Sequence, residues 1–325
     1  MNERFAVIGC GTAAVHIHLP LLRAAGVEIT AFASRSRTSA EAARDTWGNG
    51  TVVDRWEDAI SRDDVDAVVV ATPNAQHRDV AVAAAAAGKH VLVDKPLART
   101  TAEADEMIAA ADEHGVVLVP FQNTRFMAPF VAAHDAVIDG RVGDVTGVRA
   151  AFGHAGPQAW APNATWFFDK ELAGGGCLID LGVHVIDLVR YVVDDDIVEV
   201  GAMLDGDAGG VEVDAQLLVR MARGAIGTVH ASWSARPGPD HQLTIFGTRG
   251  TLHLDARTAL VLLPVDGDRE RVALPETTSS PLEEFLAAVR GERAPSVTAA
   301  DGRAAVAVVE AAYASAASGQ VVPVA

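Results

Sequence analysis

Cysteine is scarce: the 325 residues hold two, Cys10 and Cys177. Each sits in a glycine-rich turn with no partner at paired spacing, which gives no support to a disulfide framework or a zinc ribbon. Positive charge is also short. Lys and Arg number 26 against 43 Asp and Glu, a formal net charge of −17. Such a surface repels phosphate backbones and anionic headgroups, so no nucleic acid and no membrane surface is expected as a partner. Long apolar runs are missing too. The longest, Val80 to Gly88, is Ala-rich and too short to span a bilayer. The opening MNERFAVIGCG lacks a basic segment followed by a long apolar one. No secretory signal is read, and the expected location is cytoplasmic. No H-E-x-x-H pattern occurs, so a metal site built from Asp180, His184 and the distant His154 is not favoured, and no metal is expected.

What is present is a globular chain. Half the residues are hydrophobic, and the mean hydropathy is +0.20. The length suits two domains with sizeable cores. Up to about residue 122, apolar runs and helical stretches alternate: Phe5–Ile8, Ile29–Ala33, Ala67–Ala71, His90–Val93 and Val116–Val119 read as strands. Helices are expected at Thr12–Ala25, at Ser39–Trp47 with Ser39 as its cap, at Ala75–Ala87, and after the capping-box pattern Thr100-x-x-Glu103. That alternation predicts an α/β domain, residues 1–122, with a parallel, doubly wound sheet. Past Arg141 the pattern becomes β-type, with short turns and a few interrupting helices. Residues 123–325 are expected to form an α+β domain around a large, mostly antiparallel open sheet. Its exposed face suits a partner subunit in a homodimer or homotetramer.

Gly9-Cys10-Gly11-Thr12-Ala13-Ala14 fits G-x-G-x-x-A between the first strand and the first helix. Gly9 permits the tight turn, Gly11 lets a pyrophosphate approach the backbone, and Ala14 allows close helix–strand packing. A dinucleotide is the expected ligand, with Thr12 and Ala13 at the helix entry. At the end of the second strand an NAD site usually carries a carboxylate; this chain has Ser34-Arg35-Ser36. A guanidinium with hydroxyls suits a 2′-phosphate, which favours NADP over NAD. The alternative is a solvated loop and an NAD enzyme.

Three further segments resemble the Gfo/Idh/MocA oxidoreductase family, and the likeness covers nearly the whole chain. Ala71-Thr72-Pro73-Asn74-Ala75-Gln76-His77 resembles the family's cofactor-side loop. Asp94-Lys95-Pro96 resembles its E-K-P motif, with an aspartate one methylene shorter than the usual glutamate. Gly174-Gly175-Gly176-Cys177-Leu178-Ile179-Asp180-Leu181-Gly182-Val183-His184 resembles its G-G-G-x-L-x-D-x-G-x-H segment. The resemblance implies a Rossmann domain, with Thr72, Pro73, Asn74, His77, Asp94, Lys95 and Gln122 on the cofactor side. It implies that Lys95 holds the substrate hydroxyl, Asp180 positions the substrate and His184 is the acid/base. Phe121-Gln122-Asn123-Thr124-Arg125-Phe126 resembles a family segment that often has two adjacent basic residues; only Arg125 is basic here.

The chemistry of the residues agrees with those roles. Asp180 and His184, four apart, share one face of a helix. A histidine titrates near neutrality and can take a hydroxyl proton while hydride leaves. A lysine ammonium stabilises a developing alkoxide. The alternative is a helix-surface pair and an ordinary loop lysine. Asn123, Arg125, Trp160 and Trp166 are candidate substrate contacts, with structural packing as the alternative for each. The reading is an oxidoreductase interconverting a secondary alcohol and a ketone on a sugar, inositol, glycoside or keto-sugar. Its rivals are a glycoside-processing enzyme that holds NAD permanently and a nucleotide-sensing regulator without turnover.

Overall fold

A computed structural model describes residues 3–235, 241–255, 259–276 and 278–325. The first sheet has six parallel strands in the order β3-β2-β1-β4-β5-β6. They are β1 (Arg4–Ile8), β2 (Glu28–Ala33), β3 (Thr51–Val53), β4 (Ala67–Val70), β5 (His90–Val93) and β6 (Leu118–Pro120). The apolar run of β4 is buried on both faces, as a central strand between helical layers requires. The strand order reverses next to β1, which opens a crevice beyond the carboxyl ends of β1 and β4.

Two helix starts differ from the sequence expectation. The second long helix begins at Arg37, capped by Ser36, whose side chain accepts from Ser39 N–H at 3.2 Å. Ser39 is therefore the recipient of the cap and not the cap. Thr100 does cap the helix Thr101–His114, but Glu103 turns its carboxylate to the backbone and guanidinium of Arg99, so the reciprocal half of the box is not made. The complete box is at Thr298 and Asp301, opening the helix Ala299–Ser318.

The second sheet has nine strands in the order β14-β13-β12-β11-β7-β10-β9-β8-β15. They are β7 (Val145–Gly153), β8 (Ile197–Asp205), β9 (Asp214–Met221), β10 (Ile226–Ser232), β11 (Gln242–Gly247), β12 (Gly250–Asp255), β13 (Ala259–Pro264), β14 (Glu270–Arg271) and β15 (Val322–Pro323). All pairings are antiparallel except β7 with β10. Strict alternation along β9 buries Ala215, Leu217, Val219 and Met221 and leaves Gln216, Leu218 and Arg220 outside. The buried face packs on the helix Val183–Val193, which is buried along most of its length.

The sheets divide near residue 122, but the helices do not. Leu282, Phe285 and Leu286 of the helix Pro281–Val289 pack with Phe5, Val7 and Phe32 of the first sheet. Arg290 closes that contact with a bidentate pair to Glu3, both bonds 2.8 Å. The helix Ala299–Ser318 touches both β8 and the helix Thr101–His114. The most apolar helical stretch, Lys170–Val193, lies mostly buried between these layers.

Candidate active site

Two loops at the carboxyl ends of the parallel strands meet one wound segment of the second domain. On the cofactor side, Gly9 has a φ of +92° and no room for a Cβ, which would collide with the Ala71 carbonyl. A Cβ on Gly11 would meet nothing within 4 Å, so that edge of the loop is open. Thr12 and Ala13 lead into a wide turn, Ala14–His18, that runs on into the helix Leu19–Ala24; Ala14 is fully buried. Thr72 Oγ1 and both amide atoms of Gln122 are buried with no hydrogen-bond partner among the described residues. Buried polar groups are rarely left so, and these three suit a polar ligand in the crevice. Open space beside Gly11 and orphaned donors and acceptors after β4 and β6 fit a dinucleotide.

Several expected cofactor residues have other partners. Ser36 caps a helix, as above, while Ser34 is half-buried and Arg35 is exposed with no hydrogen bond or ion pair among the described residues. Asn74 reaches across to the second domain, where its Nδ2 donates to the Ala173 carbonyl at 2.7 Å. Its amide nitrogen is thus a clasp between domains, and not a free donor for a ligand. His77 is buried with Nδ1 2.9 Å from the Pro96 carbonyl and Nε2 3.0 Å from the Thr72 carbonyl. It braces the loops around Pro73 and the cis Lys95-Pro96 bond rather than facing the cleft. Burial lowers its pKa, and the Asp94 charge offsets that only in part.

Asp94 accepts the Lys95 backbone N–H at 2.8 Å and faces His18 Nε2 at 3.3 Å, an ion-pair distance whose angles fall short of a hydrogen bond. Burial raises the Asp94 pKa, but His18 and Lys95 outweigh it and hold the carboxyl below its ordinary value. The His18 ring also meets the Phe121 ring edge-on at 4.4 Å. His18 was not legible as a site residue; the one signal was its place a helical turn after the glycine loop.

On the reacting side, Lys95 Nζ donates to Asp180 Oδ1 at 2.6 Å and to the Asp180 carbonyl at 3.1 Å. Asp180 lies in a wide turn, Leu178–Gly182, that continues as the helix Val183–Val193. Wide turns of this kind are common at functional sites. Trp233 Nε1 donates to the other oxygen, Asp180 Oδ2, at 3.0 Å. Asp180 therefore holds Lys95 and Trp233 directly.

His184 is buried, and its Nδ1 has no hydrogen-bond partner among the described residues. Its ring lies edge-on to Phe152 at 6.2 Å and to His241 at 6.3 Å, and Phe152 stacks on His241 at 3.8 Å. Burial pushes the His184 pKa well below 6.5, with further lowering from Lys95, His241 and His154. The imidazole is neutral at pH 7 and is ready to accept a proton. His154, half-buried, accepts Gly156 N–H on Nδ1 at 3.0 Å, which leaves Nε2 to carry its proton when neutral.

Arg125 is engaged by two carboxylates of the protein. Its Nε and Nη2 bind Asp187 at 2.7 and 2.6 Å, and Nη2 lies 3.2 Å from Asp301. The guanidinium also packs over the Tyr191 ring at 5.3 Å. This buried fork ties three elements together. Asn123 is half-buried with no side-chain hydrogen bond among the described residues. Trp166 stacks on Phe167 at 3.9 Å and joins the core, whereas Trp160 touches Phe167 edge-on at 5.5 Å and stays 40% exposed. Of the two tryptophans, Trp160 keeps a face free for a ligand. Sequence reasoning missed Trp233, His241 and Phe152, which come from strand ends far from the motifs.

Comparison with known proteins agrees with this geometry. Residues 3–121 match the model for the oxidoreductase family with an NAD-binding Rossmann fold, and residues 130–253 match that for the GFO/IDH/MocA C-terminal domain. The 1,5-anhydro-D-fructose reductase of Ensifer adhaerens is 33% identical over 98% of this chain and 97% of its own. The myo-inositol 2-dehydrogenase of Thermotoga maritima is 30% identical over 74% of each chain. The solved structure of a levoglucosan dehydrogenase, in complex with NADH and levoglucosan, superposes with a TM-score of 0.87 at 26% identity and covers 100% of both chains.

Proposed function

The chain belongs to the Gfo/Idh/MocA oxidoreductase family, and from that premise we propose that it interconverts a secondary alcohol and a ketone on a sugar, inositol, glycoside or keto-sugar. The observation that carries this reading is the Lys95–Asp180 pair beside the buried neutral His184, at the mouth of the nucleotide crevice. When bound, the dinucleotide supplies the hydride acceptor. The chain supplies the rest. Lys95 Nζ meets the substrate oxygen and stabilises negative charge as it develops there. His184 takes the hydroxyl proton on oxidation and returns it on reduction. Asp180 and Trp233 fix the ammonium in place, and Trp160 gives the sugar face an apolar wall.

NADP is the proposed cofactor in preference to NAD, because Arg35, two residues beyond β2, is exposed with no hydrogen bond or ion pair among the described residues, and a guanidinium after the second strand suits a 2′-phosphate. The outer face of the second sheet exposes Met203, Leu218, Ile226, Phe246 and Leu263. These apolar residues, interspersed with polar ones such as Gln216, Arg220 and Arg149 on the same face, suit a second copy of the chain, as a dimer or a tetramer.

Absorbance at 340 nm tests the reaction, with both cofactors against sugars, inositols and glycosides, and both reduced cofactors against keto-sugars. The expected result is turnover that is lost in Lys95→Ala and His184→Ala while cofactor binding persists. Turnover without added nucleotide would favour a permanently held cofactor. Sedimentation at micromolar concentration tests the assembly; a monomer would remove it.

A further inference from the structure

Glu212, two residues before β9, grips the glycine turn that launches the wide turn and helix carrying Asp180 and His184. Gly176 N–H donates to both of its carboxylate oxygens at 3.0 Å, and Leu178 N–H donates to Oε1 at 2.9 Å. Cys177 N–H donates to the Glu212 main-chain carbonyl at 3.0 Å. One residue thus satisfies three successive amides at the start of a continuous wound segment. Those amides have no partner within the helix, and a carboxylate there is favoured by the helix dipole.

The grip is itself held. Tyr313, from the helix Ala299–Ser318, donates its hydroxyl to Glu212 Oε1 at 3.0 Å. Burial, then the Glu212 charge, push the Tyr313 pKa well above its ordinary value, so it remains a donor at any working pH. The glycines are fitted to these partners. A Cβ on Gly175 would collide with the Tyr313 hydroxyl, and one on Gly176 with the Glu212 carbonyl. On the other side of the turn, Arg99 Nη1 donates to the Glu171 carbonyl at 2.6 Å, so the cofactor domain holds its near end.

We propose that Glu212 is a positioning residue for the reaction: it sets where the Asp180 carboxylate and the His184 imidazole stand relative to Lys95. Asp180 N–H bonds the Gly176 carbonyl at 3.1 Å, so the residue that Glu212 clamps is also the one on which Asp180 hangs. Removing the charge keeps the fold's packing but, with the amide oxygen kept on Leu178 N–H and the Tyr313 hydroxyl, turns an amide NH2 toward the Gly176 N–H in place of Oε2. The turn then shifts, and a displacement well under 1 Å at reacting atoms is enough to slow a hydride transfer. This proposal rests on the role given above to Lys95, Asp180 and His184.

The experiment compares wild type, His184→Ala, Glu212→Gln and Tyr313→Phe below their melting temperatures, with amide exchange of the same proteins. The expected result is a kcat lowered roughly 100-fold in Glu212→Gln and a few-fold in Tyr313→Phe, with cofactor KM unchanged and faster exchange at residues 176–178. An active wild type with a dead His184→Ala and a normal kcat in folded Glu212→Gln overturns this proposal alone. An inactive wild type or an active His184→Ala overturns the reading beneath it as well.

Discussion

Trp233 Nε1 donates to Asp180 Oδ2 at 3.0 Å across 53 residues of sequence. With Lys95 on Oδ1, each oxygen of one buried carboxylate is held from a different domain. Trp233→Phe keeps a ring and removes that donor. Hydrogen bonds to charged groups are worth about 1.5 kcal/mol or more, so a roughly tenfold fall in kcat is expected. Cofactor affinity should not move. Steady-state kinetics with fluorescence titration of reduced cofactor would settle it, and an unchanged kcat would remove Trp233 from the site.

His184 sets the pH response of alcohol oxidation. Burial, with Lys95 and the neighbouring histidines, holds its pKa well below 6.5. The neutral base therefore persists into mildly acidic solution, and the acid limb of the oxidation rate should lie below pH 6.5. The same displacement links to stability. The unfolded chain binds a proton at His184 that the folded chain refuses, so stability falls as pH drops below 6.5. His77 and His154 add to this with the same sign. Each such histidine contributes up to about 1.4 kcal/mol per pH unit in that window. Rate profiles and melting curves from pH 5 to 8 check both points; a rate limb above 6.5 would contradict the first.

Arg125→Ala should unfold the chain more readily without touching its chemistry. It leaves Asp187, fully buried, without its hydrogen-bonded counter-charge. Breaking a buried pair from one side costs about 3–5 kcal/mol. A double variant, Arg125→Met with Asp187→Leu, should recover much of that loss. Denaturant titration measures the cost. A stability loss under about 1 kcal/mol, or a raised substrate KM in the folded variant, would return Arg125 to the substrate.

Arg35→Ala should separate the two cofactors. If its guanidinium meets a 2′-phosphate, KM for NADP rises roughly tenfold or more and KM for NAD stays within about twofold. Equal effects on both, or a wild type that prefers NAD, would leave Arg35 as a solvated loop residue.

The parallel sheet and the glycine loop were legible because they are local. Four-residue apolar runs at β1, β4 and β5, each closed by turn residues, announce strands directly. β3, three residues long and half-exposed, carries too short a pattern to register. Ser36 and Ser39, three apart, both look like caps, and only the extended φ of Ser36 decides between them. The roles of Lys95, Asp180 and His184 came from motif resemblance. The long-range contacts around them were not legible, because Trp233 on Asp180, Glu212 on Gly176 and Asp187 on Arg125 each join residues tens of positions apart, and periodicity carries no information about such pairs. Arg125 shows a related limit: a charge in a site-like segment is drawn inward by two carboxylates downstream, which its local sequence does not announce.

The return of the helix Pro281–Val289 to the first sheet limits how this architecture can be taken apart. Phe285 and Leu286 complete a wall begun by Phe5 and Phe32, from opposite ends of the chain. A nucleotide-binding half cut at residue 122 would face water with that wall open, and would be expected to aggregate rather than act as an independent module. Grafting a new substrate half onto this cofactor half therefore means carrying the C-terminal helices along with it. Recombination in such a lineage is expected to exchange the loops and strands between about residues 123 and 280, and to leave the two chain ends inherited as a pair.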